Sequence, residues 1–202
     1  YQALAQKNVE VETDNIAEVT QTGIKTKDGK EYPVDAIIYG TGFQATDFLA
    51  PMKITGRDGI DLNEAWRDGA EAYLGMTVHG FPNMFLLYGP NTNLGHNSIL
   101  YMLESQFAYI LDALKQMRRQ QWQAVEVKAQ TQSVYNQWVQ EQLSNTIWAA
   151  GCHSWYKTES GKNTNNWVGF TLLYRYKTQH FKAQDYITQA KSAVTRLTPV
   201  AA

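Results

Sequence analysis

Between Asn8 and Lys30 apolar and polar residues alternate in short runs, Val9 and Val11, then Ile16 to Val19, then Ile24 to Thr26, punctuated by Gly23 and the Asp28-Gly29 pair. Alternation of period two, broken by turn residues, predicts a small antiparallel meander with one solvated face. From Val34 to Tyr39 the run is almost continuously apolar and β-branched, as in a strand buried on both faces, and it stops at Gly40-Thr41-Gly42-Phe43. Residues 44–80 hold no dominant period and are cut by Pro51, Gly56, Gly59, Gly69, Gly75 and Gly80, which predicts a long irregular excursion. Met84 to Tyr88 is a second run of buried-strand type, closed by Gly89-Pro90 and followed by the polar loop Asn91 to Ser98.

Glycine and proline are then absent from Gly95 to Gly151, so that span is mostly regular. Leu103, Phe107, Ile110, Leu111 and Leu114 recur at helical spacing, and Lys115, Arg118 and Arg119 lie where the carbonyl pole of a helix favours cations. With Asn97 and Ser98 as caps, a helix is predicted from about Ser98 to Arg119. Ala124 to Lys128 reads as one short strand, and Tyr135, Trp138, Val139 and Leu143 mark a second helix from near Ser133. After Asp185 an amphipathic helical pattern returns with Tyr186, Ile187, Ala190, Val194 and Leu197, fraying at Pro199.

Composition narrows the classes. The chain has 202 residues, 44% hydrophobic and 18% charged, enough for one substantial core or two small ones. Eighteen basic against nineteen acidic side chains leave a net charge of −1, so neither nucleic acid nor an anionic membrane is expected as a partner. No apolar stretch approaches the roughly 20 residues of a membrane helix, no charged-then-apolar leader appears in the first residues, and a start at Tyr1 suggests a cut inside a longer protein. Cys152 stands alone, which argues against disulfides, a redox pair or a zinc cluster, and favours a reducing, cytoplasmic setting. No metal site is expected.

Two features bear on chemistry. A strand delivered into Gly40-Thr41-Gly42 lets backbone amides approach a ligand closely, yet an isolated pair of glycines is more often a tight turn, and no third glycine completes a phosphate fingerprint. Five of the six tryptophans lie between Trp122 and Trp167, mixed with glycines and amides; this suits a ligand cleft and a packed core equally.

Taken in order, Asp35 to Phe43, then Gly80-Phe81-Pro82-Asn83-Met84-Phe85, then Gly89-Pro90-Asn91-Thr92-Asn93-Leu94-Gly95-His96 resemble the C-terminal half of class B flavoprotein monooxygenases. The resemblance is closest to Baeyer–Villiger enzymes of the 4-hydroxyacetophenone monooxygenase type. Ser154-Trp155-Tyr156 with Gly161-Lys162-Asn163 is similar to that family's mobile cofactor loop, and Tyr174 and Asp185-Tyr186 continue the likeness over nearly the whole chain. It implies an α/β fold: the C-terminal part of a flavoprotein with two Rossmann-like dinucleotide-binding domains, carrying a small β-meander and an α-helical extension. Residues 1–119 would end the FAD-binding domain, and residues 120–202 would form an aromatic extension closing over NADP.

The same resemblance implies FAD and NADP as cofactors, O2 as co-substrate and a small-molecule ketone, amine or sulfide as substrate. NADPH would reduce FAD, O2 would add at C4a, and the peroxide would convert a ketone to an ester or lactone, or oxygenate nitrogen or sulfur. Gly40, Thr41, Gly42 and Phe43 would lie beside FAD. Asn91, Asn93, Asn97, Ser98 and Ile99 would meet the pyrimidine edge of the flavin, where helix N-terminal amides favour negative charge by roughly 0.3–1 kcal/mol. Trp155 would cover the nicotinamide-ribose, and Lys162 or Asn163 would contact NADP, although for Lys162 a solvated turn is the commoner role. His96 is orientational or substrate-lining by this reading, and no catalytic residue is assigned. Val168 stands where relatives commonly have proline, a matter of local loop geometry. Both full glycine fingerprints, the inter-domain signature and the motif of the arginine that steadies the peroxide are absent. They belong upstream in the family, so the missing N-terminal part of the same chain is an expected partner, without which tight FAD binding and turnover are not expected. Two rivals stay open: a pyridine nucleotide–disulfide reductase, which shares the meander and Thr-Gly turn but needs more than Cys152, and a non-catalytic α+β binding module.

Overall fold

The structure is a computed structural model that describes residues 1–150 and 154–191. It divides into two compact units, Tyr1–Gly42 and Phe43–Ala202.

In the first unit, β1 (Ile16–Val19), β2 (Gly23–Thr26) and β3 (Glu31–Pro33) form an antiparallel sheet in the order β1-β2-β3. The β2–β3 turn is built by local chemistry: Thr26 Oγ1 donates to Asp28 Oδ1 at 2.6 Å, and Gly29 turns with φ +91°. Ile24 faces Tyr32 across the hairpin, and the Tyr32 hydroxyl reaches the Glu12 carboxylate. The antiparallel meander therefore forms, but all four residues of β1 are exposed, so β1 has no buried face, and Val9 to Val11 is not part of the sheet. Nor is Val34 to Tyr39 a strand. Ile38 is 95% and Tyr39 73% exposed, because a strand exists only by pairing and β3, the nearest strand, pairs with β2 alone.

The second unit contains α1 (Leu62–Ala65), α2 (Ile99–Gln120), β4 (Trp122–Val127), α3 (Ala129–Ser144), α4 (Thr171–Lys177) and β5 (Tyr186–Ala190). Its main core joins Met76, Met102, Tyr109, Val127, Val139, Trp167 and Tyr174; a smaller one joins Leu62, Trp66, Val78 and Phe81. Residues on both sides of 119/120 share the main core. A line of hydroxyls runs through it, Thr77 to Tyr186 and Tyr186 to Tyr109, each at 3.0 Å, so the phenols of Tyr186 and Tyr109 are satisfied. At its edge Arg57 clamps the buried Glu126 through Nε and Nη2, both at 3.0 Å, and Gly80 N donates to Glu126 Oε1 at 3.0 Å. The Arg57 guanidinium is the main cause holding the Glu126 carboxyl below its ordinary pKa.

Several expectations are corrected here. The helix α2 has nearly the predicted bounds but another buried face: Met102, Ser105, Gln106, Tyr109 and Ala113 point inward, whereas Phe107, Leu111 and Leu114 are 46%, 55% and 50% exposed. A polar Gln106 is acceptable inside because its Nε2 donates to Tyr174 Oη at 3.0 Å and its Oε1 accepts from Tyr88 N at 3.0 Å. Met84 to Tyr88 is not a strand; positive φ at Asn83 (60°) and Tyr88 (56°) breaks the extended path at both ends. The helix α3 begins at Ala129 rather than near Ser133. Residues after Asp185 form β5, not a helix, because β4 offers an edge and pairs Val125 with Thr188 and Glu126 with Ile187. Val194, Leu197 and Pro199 lie outside the described residues, as do Gly151, Cys152 and His153.

Candidate functional site

The polar loop before α2 and the amide-rich segment before α4 are zipped together. Asn91 N donates to Thr164 O at 2.8 Å, Asn93 N to Asn165 O at 2.9 Å, and Trp167 N to Asn93 O at 2.8 Å. Asn91 Nδ2 adds bonds to Asn163 O at 2.8 Å and Asn166 O at 3.2 Å. Within the second strand of the zipper, Asn163 Oδ1 accepts from Asn165 N and Asn166 N, each at 3.0 Å, so this run of asparagines satisfies its own turn. Asn91, Thr92, Asn163 and Asn166 are all buried. Thr92 is admitted so deeply because Gly75, at φ +68°, has no side chain to meet it.

Beyond the zipper the loop opens to solvent. Asn97 Nδ2 donates to Thr171 Oγ1 at 3.0 Å, tying the start of α2 to the start of α4, and Asn97 Oδ1 accepts from Ser98 N at 2.7 Å. Ser98 is the N-cap of α2, yet its hydroxyl bonds no backbone amide. The N-terminal amides of a 22-residue helix therefore face outward beside Ile99, with the positive pole of the dipole behind them.

Aromatic rings flank this opening. Trp148 packs so closely on Gly95 that a Cβ there would lie 3.1 Å from the indole. Tyr156 stands edge-on to Trp148 with centroids 5.3 Å apart, and Trp155 lies 5.0 Å from Tyr156. Tyr88 Oη donates to Asn93 Oδ1 at 2.7 Å, and its pKa is pushed up, first by burial and then by the neighbouring Tyr156. Trp155 is 50% exposed, so its ring is not consumed by the core. A cavity of about 820 Å³ lies beside the same loop, and its lining sets Asp47, Asp68 and Glu159 against Arg67 and Lys157.

The predicted residues thus take distinct places. Asn97, Ser98 and Ile99 lie at the outward end of α2, whereas Asn93 is part of the zipper and its Oδ1 accepts from the Tyr88 hydroxyl. Asn91 is turned inward, and its side chain holds the zipper. Trp155 sits on the facing loop. Gly40, Thr41 and Gly42 belong to the first unit, where all are exposed and Gly42 has φ +77°; Phe43 opens the second unit and is 83% exposed. Lys162 is engaged with Glu71 Oε1 at 2.6 Å and Asn163 with its neighbours, so both have structural partners. Trp167 belongs to the core. Tyr88 and Trp148 were not singled out in the sequence; their only signal is an aromatic next to the Gly89-Pro90 stop and another within the tryptophan-rich stretch. Among the described residues no group of three or more His, Cys, Asp or Glu is placed to hold a metal, and no helix is long and apolar enough to cross a membrane.

No protein-family model matches the chain. A Baeyer–Villiger monooxygenase of Pseudomonas aeruginosa is 50% identical over 188 residues, covering 92% of this chain and 36% of that protein. A Baeyer–Villiger monooxygenase of Streptomyces coelicolor is 39% identical over 188 residues, with 92% and 36% covered. An FAD-binding monooxygenase of Aspergillus niger is 37% identical over 198 residues, with 96% and 32% covered. Among solved structures, a closed cyclohexanone monooxygenase superposes with a TM-score of 0.70 at 26% identity, over 87% of this chain and 34% of that one. A complex of OTEMO with FAD and NADP does so with a TM-score of 0.67 at 30% identity, over 81% and 30%. The chain spans about a third of the length of the curated relatives it matches. Over that third, both sequence and fold agree: the homologues of this chain are Baeyer–Villiger and FAD-binding monooxygenases, and the chain corresponds to a part of them.

Proposed function

We propose that the protein carrying this chain is an FAD- and NADPH-dependent monooxygenase that inserts one oxygen atom of O2 into a small ketone, and that this chain supplies part of the wall around both cofactors. The observation that carries the reading is the zipper, which ties the loop before α2 to the segment that follows Trp155. The groups present suit such cofactors. An outward-facing helix N-terminus with no side-chain cap is a fitting neighbour for an electron-rich heteroaromatic edge, and a half-exposed indole is a fitting lid for a flat ring.

When bound, FAD would supply the electron transfer and the oxygen activation that amino-acid side chains lack. The residues of this chain orient and enclose. Amides at the start of α2, beside Ser98 and Ile99, would stabilise negative charge gathering near them. Trp155 would cover the nicotinamide-ribose, with Tyr156 and Trp148 supporting it and keeping water out. Asn91 is a positioning residue that holds the loop carrying Asn93. Gly40 to Gly42, at the end of the first unit, and Phe43, at the start of the second, are the residues we assign to FAD, and residues 1–119 and 120–202 differ by the cofactor they face rather than by separate cores. A ketone is favoured over an amine or sulfide because two of the relatives are Baeyer–Villiger enzymes by name.

The test uses the full-length protein that carries this chain. It is expected to purify yellow, with flavin absorbance, and to oxidise NADPH faster when a ketone is added, with an ester or lactone as product. A colourless protein would overturn the cofactor assignment, and oxygenation of a sulfide or amine without any ester from ketones would overturn the substrate class.

A further inference from the structure

Residues of α3 and α4 border a cleft that none of the cofactor-facing residues lines. Its volume is about 550 Å³, within the span typical of small-molecule sites. Tyr73, Val134, Tyr135 and Trp138 give it aromatic and apolar walls, and Lys177 and Lys182 stand among its lining residues. Lys177 Nζ sits 4.5 Å from the centroid of the Trp138 ring. Neither lysine has a carboxylate within ion-pair distance among the described residues, whereas Lys30 and Lys162 do. The nearby carboxylate of Asp185 accepts the Tyr73 hydroxyl at 2.7 Å. Desolvation, and then the charge of Lys182, push the Lys177 pKa down, and both ammonium groups line one cleft with no carboxylate paired to either among the described residues.

We infer that this cleft is a second ligand site, for a small amphiphilic monoanion with a flat apolar body and one carboxylate. The body would stack against Trp138 and Val134 and the carboxylate would bridge Lys177 and Lys182, replacing like-charge repulsion by two charge-assisted contacts. A neutral molecule of the same shape would gain only the first half of this.

The experiment titrates 2-naphthoate into the full-length protein by calorimetry with NADP+ saturating, and 2-naphthalenemethanol as the neutral counterpart. Naphthoate is expected to bind saturably, about tenfold more tightly than the alcohol. The double variant Lys177→Met and Lys182→Met is expected to remove that preference and leave the affinity for the alcohol unchanged. Val134→Trp, which fills the cleft from a half-exposed position, is expected to abolish both. If the double variant loses its circular dichroism signal, Lys182→Met alone, at an exposed position, carries the same test with a several-fold loss for naphthoate only. No saturable binding, equal affinity for the two probes, or an anion affinity indifferent to the lysines would overturn the site.

Discussion

A buried hydroxyl costs free energy unless something bonds it, and Tyr135 carries one with no hydrogen-bond partner among the described residues. Burial pushes its pKa well above the ordinary phenol value, so the group stays neutral and simply unmatched. Tyr135→Phe is therefore expected to leave stability unchanged or raise it by up to about 1 kcal/mol in urea unfolding; a loss of that size would contradict the assignment. Glu126 is the opposite case, a buried carboxylate with three donors in Arg57 and Gly80. Its folded-state pKa is lowered, so its stabilisation is complete above the ordinary carboxylate value of roughly 4.3 and fades as pH falls through the lowered one. Unfolding measured across the acid range should show Glu126→Gln less stable than the parent at neutral pH, with the gap closing as pH drops. A gap constant with pH would show that the charge contributes nothing.

The elements that matter most are the zipper and the helix it positions. Removing Asn91 Nδ2 by Asn91→Ala leaves Asn163 O with its bond from Gln140 at 2.9 Å but deprives Asn166 O of a side-chain donor. A destabilisation of about 1–3 kcal/mol is expected, together with faster hydrogen exchange at Asn93 and Trp167; parent-like exchange at both would contradict the zipper's role. What was legible in the sequence at this scale was local. The β2–β3 turn, the bounds of α2 and the polar loop after Pro90 follow from turn chemistry, capping and periodicity within a few residues. What was not legible depends on distant partners. The strand β5 forms because β4 presents an edge to it, and α2 buries Gln106 rather than Phe107 because Tyr174, far along the chain, accepts the amide. Asn91 reads as a ligand-facing amide in sequence and is an internal strut in the fold, since nothing local reveals the second strand of the zipper.

At the scale of the whole molecule, the apolar residues that remain exposed are the informative ones. Ile38 and Tyr39 in the first unit are exposed, and so are Leu100, Phe107, Leu111 and Leu114, which recur at helical spacing along one face of α2. The 202-residue chain by itself is expected to bind an anilinonaphthalene dye and to melt in a broad transition; a sharp transition without dye binding would show those surfaces to be innocuous. Such surfaces suit a chain that matches about a third of its relatives' length. The central claim is that the loop carrying Trp155 faces a nicotinamide dinucleotide while the zipper holds the flavin-side loop beside it. Its most direct test is NADP+ affinity in the flavin-bearing full-length protein, compared with Trp155→Ala. Loss of a stacking indole predicts binding weakened about tenfold with flavin content unchanged; NADP+ affinity equal to that of the parent would contradict the account.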